Sequence, residues 1–131
     1  MSGSTPVHNF FSSMKEGDID RLLDTVHEDA EFCAPGPDTV PIYNTFHGKD
    51  GVRKFIRILG ELFQNEAFDI YDIVRQGELV FAHGHMRHRV KITDRVFDCE
   101  WALVCKIKDA KIISYKMFED TAALEKAYMK V

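Results

Sequence analysis

The sequence is short of several things, and each shortage narrows what the chain can be. It has only three cysteines, Cys33, Cys99 and Cys105, an odd number without close spacing. That argues against a disulfide framework or a thiolate zinc site and points to a reducing cytoplasm. No apolar run reaches membrane-spanning length. The first eight residues carry neither a charged n-region nor an apolar h-region, so no secretory leader is expected. Positive charge is also in deficit: 17 Lys and Arg against 21 Asp and Glu leave a net charge of −4. Such a surface repels phosphate backbones, and no Lys/Arg cluster reverses it, so neither nucleic acid nor membrane is an expected partner. Internal repeats, low-complexity tracts and linkers are missing too.

What remains is ordinary globular material. The 131 residues are 45% hydrophobic and 29% charged, enough for one domain over 1–131 with a core of its own. Helical signals come first. Phe10, Phe11 and Met14 share one face of a short helix that stops at Gly17. Asp18 is a good N-cap for a second helix, striped by Ile19, Leu22, Leu23 and Val26. Ala30 to Cys33 reads as a short strand, and the Pro-Gly-Pro within 35–41 as a loop. His47-Gly48-Lys49-Asp50 opens a third helix carrying Val52, Phe55, Ile56, Leu59 and Phe63. The period then changes. Strands are predicted over 67–74, 79–92, 95–107 and 111–118, separated by turns at 76–78, 93–94 and 108–110, with a closing helix over 121–129. Helices followed by hairpin-linked strands predict an α+β fold: helices on one face of a curved antiparallel sheet, with a cavity for a small ligand at the wide end.

Four stretches, in order along nearly the whole chain, resemble the nuclear transport factor two-like (SnoaL-like) superfamily. They are Glu16-Gly17-Asp18-Ile19-Asp20, His27-Glu28-Asp29-Ala30-Glu31-Phe32, Phe46-His47-Gly48-Lys49-Asp50-Gly51-Val52, and Lys111-Ile112-Ile113 through Phe118-Glu119-Asp120-Thr121-Ala122-Ala123-Leu124. The superfamily includes ketosteroid isomerase, scytalone dehydratase, limonene epoxide hydrolase and the polyketide cyclases. The resemblance implies a cone-shaped α+β roll enclosing a pocket. It does not imply one reaction, because many functions share the cone.

Alternation along the long strand divides Phe81, His83, His85 and Arg87 from Val80, Ala82, Gly84, Met86 and His88. Apolarity alone puts the second set inside. The resemblance implies the reverse, with His83 and His85 lining the pocket. The same argument turns Cys99, Trp101 and Leu103 inward on the next strand, and Tyr115, Met117 and Glu119 on the last. Asp98, Glu100 and Lys106 then face outward, on a surface that the resemblance implies packs against a second subunit; Ala82 and Gly84 would suit that close approach. A homodimer through the outer sheet face is therefore expected.

His83-x-His85 places two imidazoles on one strand face, and imidazole can exchange protons near neutral pH. These two are the expected catalytic pair, with Glu119 and Tyr115 as partners. Phe10, Tyr43, Phe81, Arg87, Cys99, Trp101, Leu103 and Met117 are the expected contacts to a small hydrophobic molecule. A metal held by His83, His85 and Glu119 is an alternative, but the superfamily usually needs none and a fourth ligand is not evident, so no metal or other cofactor is expected. The ketosteroid isomerase pattern fails here: its acidic base matches Ala34, its Tyr matches Phe10, and its Asp falls at or near Leu103. The limonene epoxide hydrolase pattern fails at Met117, which stands where an Asp is needed. Two readings stay open: an acid–base enzyme of isomerase, dehydratase or cyclase type, and a non-catalytic ligand-binding or dimeric interaction protein.

Overall fold

The computed structural model describes residues 5–129. Its order is α1 (Thr5–Glu16), α2 (Ile19–Asp24), β1 (Val26–Cys33), β2 (Thr45–His47), α3 (Gly48–Leu62), β3 (Phe63–Gln76), β4 (Leu79–Val90), β5 (Arg95–Lys108), β6 (Lys111–Phe118) and α4 (Thr121–Tyr128). The expected α+β class holds: four helices pack with a curved six-stranded sheet, in the order β2-β1-β6-β5-β4-β3, that does not close into a barrel. β1 runs parallel to β6, and every other pairing is antiparallel.

Local chemistry explains most boundaries. Gly17 stops α1 at φ +71°, a left-handed conformation that costs glycine little. The Asp18 carboxylate then accepts from the Arg21 amide and starts α2. The β5–β6 hairpin turns on Asp109 and Ala110, both at positive φ, as a two-residue turn of this hand requires. In the same way Asp120 caps α4 through the Ala123 amide.

Four boundaries differ from the sequence reading. β1 begins at Val26, because Val26 already pairs with Ile112 of β6. The short β2 was not expected; it exists by pairing Phe46 with Phe32. Phe63 leaves the helical stripe and opens β3 in extended geometry, opposite Val90. β4 stops at Val90, since the chain reverses at once and Asp94 takes a positive φ in the turn.

The core lies between the helices and the concave sheet face. Phe32 and Tyr115 stack at 4.4 Å and nearly parallel, with Phe10 and Phe55 against them. Trp101 stacks on Phe68 at 5.0 Å. It lies across β4 at Gly84, where a Cβ would meet the Trp101 ring at 2.5 Å and the Asp69 carbonyl at 2.0 Å. Gly84 is therefore an inward position emptied of side chain to admit an indole, and Ala82 is buried beside it. This corrects the expectation that both serve a close approach on the outer face.

Candidate functional site: an apolar cavity and a charged outer face

A cavity of about 1000 Å³ opens between α1, α3 and the concave face of the sheet. Its wall is mostly apolar, with Phe11, Phe55, Phe63, Phe68, Met86 and Met117 among the contributors. Two ionisable groups stand out in it, Glu119 just after β6 and His88 near the end of β4.

Glu119 reaches the cavity because alternation on β6 turns Tyr115 and Met117 inward and the next odd position follows. The Tyr43 hydroxyl donates to its Oε2 at 2.8 Å. Tyr43 comes from the 34–44 connection, where its ring packs flat on Gly36. The same connection is fastened to α4 by Thr39, whose hydroxyl donates to Glu125 at 2.6 Å. Burial pushes the Glu119 carboxyl up to about 7, against the pull of the Tyr43 hydrogen bond. Burial, then the adjacent Glu119, raises the Tyr43 hydroxyl, and burial alone leads the rise at Tyr115. Both phenols therefore stay protonated donors while Glu119 changes charge near neutral pH.

His88 stacks on Phe63 at 4.8 Å, and Phe97 lies opposite it on β5. Its Nδ1 is buried without a hydrogen-bond partner. Desolvation pushes its pKa down to about 4, so the ring is neutral at physiological pH. A buried nitrogen left unpaired costs about 1–3 kcal/mol.

Several of the residues singled out from the sequence do lie at this site. Glu119, Tyr115 and Met117 line the cavity, and Tyr43 reaches it through Glu119. Phe10, Trp101 and Leu103 are inward but fully buried behind the wall, as core. Cys99 is half-buried close to Glu119, and burial leads a rise in its thiol pKa.

The placement of His83, His85, Phe81 and Arg87 in the pocket is corrected. All four project from the opposite face of β4, while Val80, Ala82, Met86 and His88 point inward. His83 is 47% exposed; its Nε2 meets Glu100 at 2.7 Å and its Nδ1 lies 4.0 Å from Asp72. His85 sits between Asp98 at 2.7 Å and Asp69 at 3.4 Å. The hydrogen bond to Asp98 leads the rise in its pKa. Arg87 bridges Glu66 and Asp98, and Arg89 also holds Glu66. Phe81 is exposed between Val74 and Val104. The sheet thus separates both histidines from Glu119 and breaks up the candidate metal set. Among the described residues no cluster of three His, Cys, Asp or Glu could hold a metal ion.

A signal for the correct face was present in the sequence. Asp98 and Glu100 were already placed outside, and a tight turn before Arg95 pairs Arg87 with Asp98 and His85 with Glu100. Residues directly opposite in an antiparallel pair share a face. His88 belongs to the set that apolarity alone turns inward, and the resemblance, which turns the other set inward, hides it.

Comparisons with known proteins agree with this fold. The structure is similar to a nuclear transport factor two-like protein from Burkholderia xenovorans LB400, with a TM-score of 0.89 and 29% identity over 97% of this chain and 95% of that one. It also resembles, at the level of fold, a Bacillus subtilis protein provisionally described as an isomerase, with a TM-score of 0.83 and 18% identity over 98% and 96%. TerC, co-crystallised with polyporic acid, is similar with a TM-score of 0.86 and 16% identity over 96% and 97%. No curated protein matches the sequence. Among the described residues no helix is long and apolar enough to cross a membrane. The SnoaL-like domain matches residues 7–115, which run from α1 into β6 and include most of the cavity wall, and the chain therefore belongs to the SnoaL-like domain family.

Proposed function

We propose that the chain, one SnoaL-like domain over 1–131, binds a small, largely apolar molecule in this cavity and moves a proton on it, with Glu119 as the acid–base group. The observation that carries the reading is a carboxyl in an apolar wall, raised to about 7 and oriented by the Tyr43 hydroxyl. A carboxyl tuned close to the working pH can both take and return a proton. Isomerisation, dehydration and aldol-type cyclisation can share one step of this kind, removal of a proton next to a carbonyl. In that step the Glu119 carboxylate takes the C–H proton, the electron pair passes to the carbonyl oxygen as an enolate, and Glu119 returns the proton elsewhere. The same-fold structures described as isomerases, and TerC with polyporic acid, are in keeping with a small-molecule site. His83 and His85 have no part in this reading.

The test uses 2-tetralone, an apolar ketone with acidic α C–H bonds, incubated in deuterated buffer and followed by mass spectrometry. Wild-type protein is expected to speed deuterium uptake, with a rate that rises with pH to a plateau above about 7. Glu119→Gln is expected to lose on the order of 100-fold or more. Equal rates for wild type and Glu119→Gln would sink the reading. A wild type that binds 2-tetralone without exchanging it favours the alternative, a ligand carrier, which the mostly apolar wall also supports.

We further propose that a second copy of the chain covers the outer sheet face, as the exposed Val74, Phe81 and Phe118 on it suggest. The three free thiols are in keeping with the cytoplasm.

A further inference from the structure

Glu119 satisfies one end of the cavity, but the other end contains an unmet need. His88 is the inward residue near the end of β4, flat against Phe63, with Nδ1 buried and unpartnered. Nearby groups do not meet that need. Glu66, which also lines the cavity, is occupied by Arg87 and Arg89. Asn65 sits opposite His88 in the strand register, yet makes no hydrogen bond to that nitrogen. Buried polar atoms are almost always paired, and an orphan in a cavity wall marks a place where something else supplies the partner.

The sheet register sets how far apart the two polar groups lie. Glu119 follows Phe118, which pairs with Ala102 of β5, so the next pair along reaches Trp101 and, beyond it, Gly84 of β4. His88 lies four residues further along β4. Two strand spacings across and four residues along give about 10 Å and about 13 Å, so the two Cα atoms are roughly 16 Å apart. Both side chains reach into the same cavity and shorten that span. Between them the wall is aromatic and thioether, with Phe68, Met86 and Phe97.

We propose that His88 is the cavity's second polar anchor, holding an uncharged hydroxyl or carbonyl at the end of the ligand remote from Glu119. The ligand is then an elongated molecule with an apolar middle and a polar group at each end. The neutral imidazole has two tautomers, so a ring nitrogen can either accept or donate without disturbing the stack on Phe63. A hydroxyl suits both, because it donates and accepts. Desolvation keeps the ring uncharged, in line with a neutral rather than an anionic group at that end. This rests on the cavity being a small-molecule site, as proposed above, but not on Glu119 catalysing anything.

The test compares two probes of one shape, 4,4′-dihydroxybiphenyl and 4-phenylphenol, titrated by calorimetry against wild type and His88→Phe. Wild type is expected to bind the diol roughly tenfold more tightly than the mono-ol, the worth of one added hydrogen bond. In His88→Phe, which keeps an aromatic ring against Phe63, that preference should fall to the twofold statistical advantage of two equivalent ends. If wild type shows no preference, or if the preference survives His88→Phe, the inference is overturned. A measurement on the unmutated protein guards against a variant that misfolds. The 15N resonances of the His88 imidazole should move on adding the diol, and unchanged resonances at saturation overturn the proposal. Deuterium uptake into 2-tetralone reports on Glu119 separately, so failure of either idea can be recognised on its own.

Discussion

Glu119 and His88 show how burial sets the chemistry of a single side chain. Both are neutral when their surroundings win, but they gain charge in opposite directions of pH. For Glu119 the consequence can be measured without a substrate. Between pH 4.5 and about 7 the folded protein holds a proton there that the unfolded chain has released. Stability therefore falls as pH rises through that window and levels off above it. A rise from 4.5 to about 7 corresponds to about 3 kcal/mol. Glu119→Gln cannot ionise and its amide oxygen can still accept from Tyr43. It is expected to be up to about 3 kcal/mol more stable than wild type at pH 8 and to lose that advantage near pH 4.5. Urea unfolding at the two pH values checks this, and a difference independent of pH would contradict it. The inward direction of Glu119 is legible from its parity with Tyr115 and Met117 at the end of the last strand. Its partner is not, because Tyr43 lies 76 residues away in a loop that no periodicity describes.

At the scale of elements, β4 decides the site. Its inward face is apolar except for His88, and its outward face is ionic at His83, His85, Arg87 and Arg89 but apolar at Leu79 and Phe81, so the sequence presents a histidine on both. Gly84 is the position that settles the inward face, since Trp101 occupies the space its side chain would need. Gly84→Ala is expected to destabilise the protein by about 1–3 kcal/mol through overpacking, and to shift the Trp101 fluorescence maximum. A neutral thermal shift with unchanged emission would mean that the indole does not lie across β4. The outward face follows from pairing. His83 and His85 each stand between carboxylates of β3 and β5, and exposed pairs of this kind add little individually to stability. That pairing is visible only once the register brings four separate carboxylates alongside.

For the whole molecule, the convex face of the sheet is the surface through which the proposed dimer would form. It joins an ionic half, built by His83, His85 and Arg87 with their carboxylates, to an apolar half with Val74, Phe81 and Phe118. A stable dimer buries about 800 Å² on each partner, and Phe81 lies central in the apolar half, between Val74 and Val104. Light scattering after size exclusion is expected to give twice the chain mass for wild type and the single-chain mass for Phe81→Asp. Wild type that stays at single-chain mass at high concentration would rule out the dimer. The ligand site is on the other side of the sheet, so Phe81→Asp is expected to leave 2-tetralone exchange unchanged.

The order of helices and strands, the turn at Asp109-Ala110 and the SnoaL-like resemblance were readable along the chain, because each rests on local periodicity, capping or short motifs. The inward direction of Trp101, Tyr115, Met117 and Glu119 came from alternation, which set the parity, together with the SnoaL-like resemblance, which chose the face. The length of β1, the short β2 and the early start of β3 depended on partners distant in sequence, and strands extend as far as their neighbours allow. The orientation of β4 needed the register to β3 and β5, since a histidine is at home against a carboxylate in water and against a phenyl ring in a cavity. The unpaired nitrogen of His88, and the hydroxyl that holds Glu119, exist only where the folded chain brings four elements and a loop around one space.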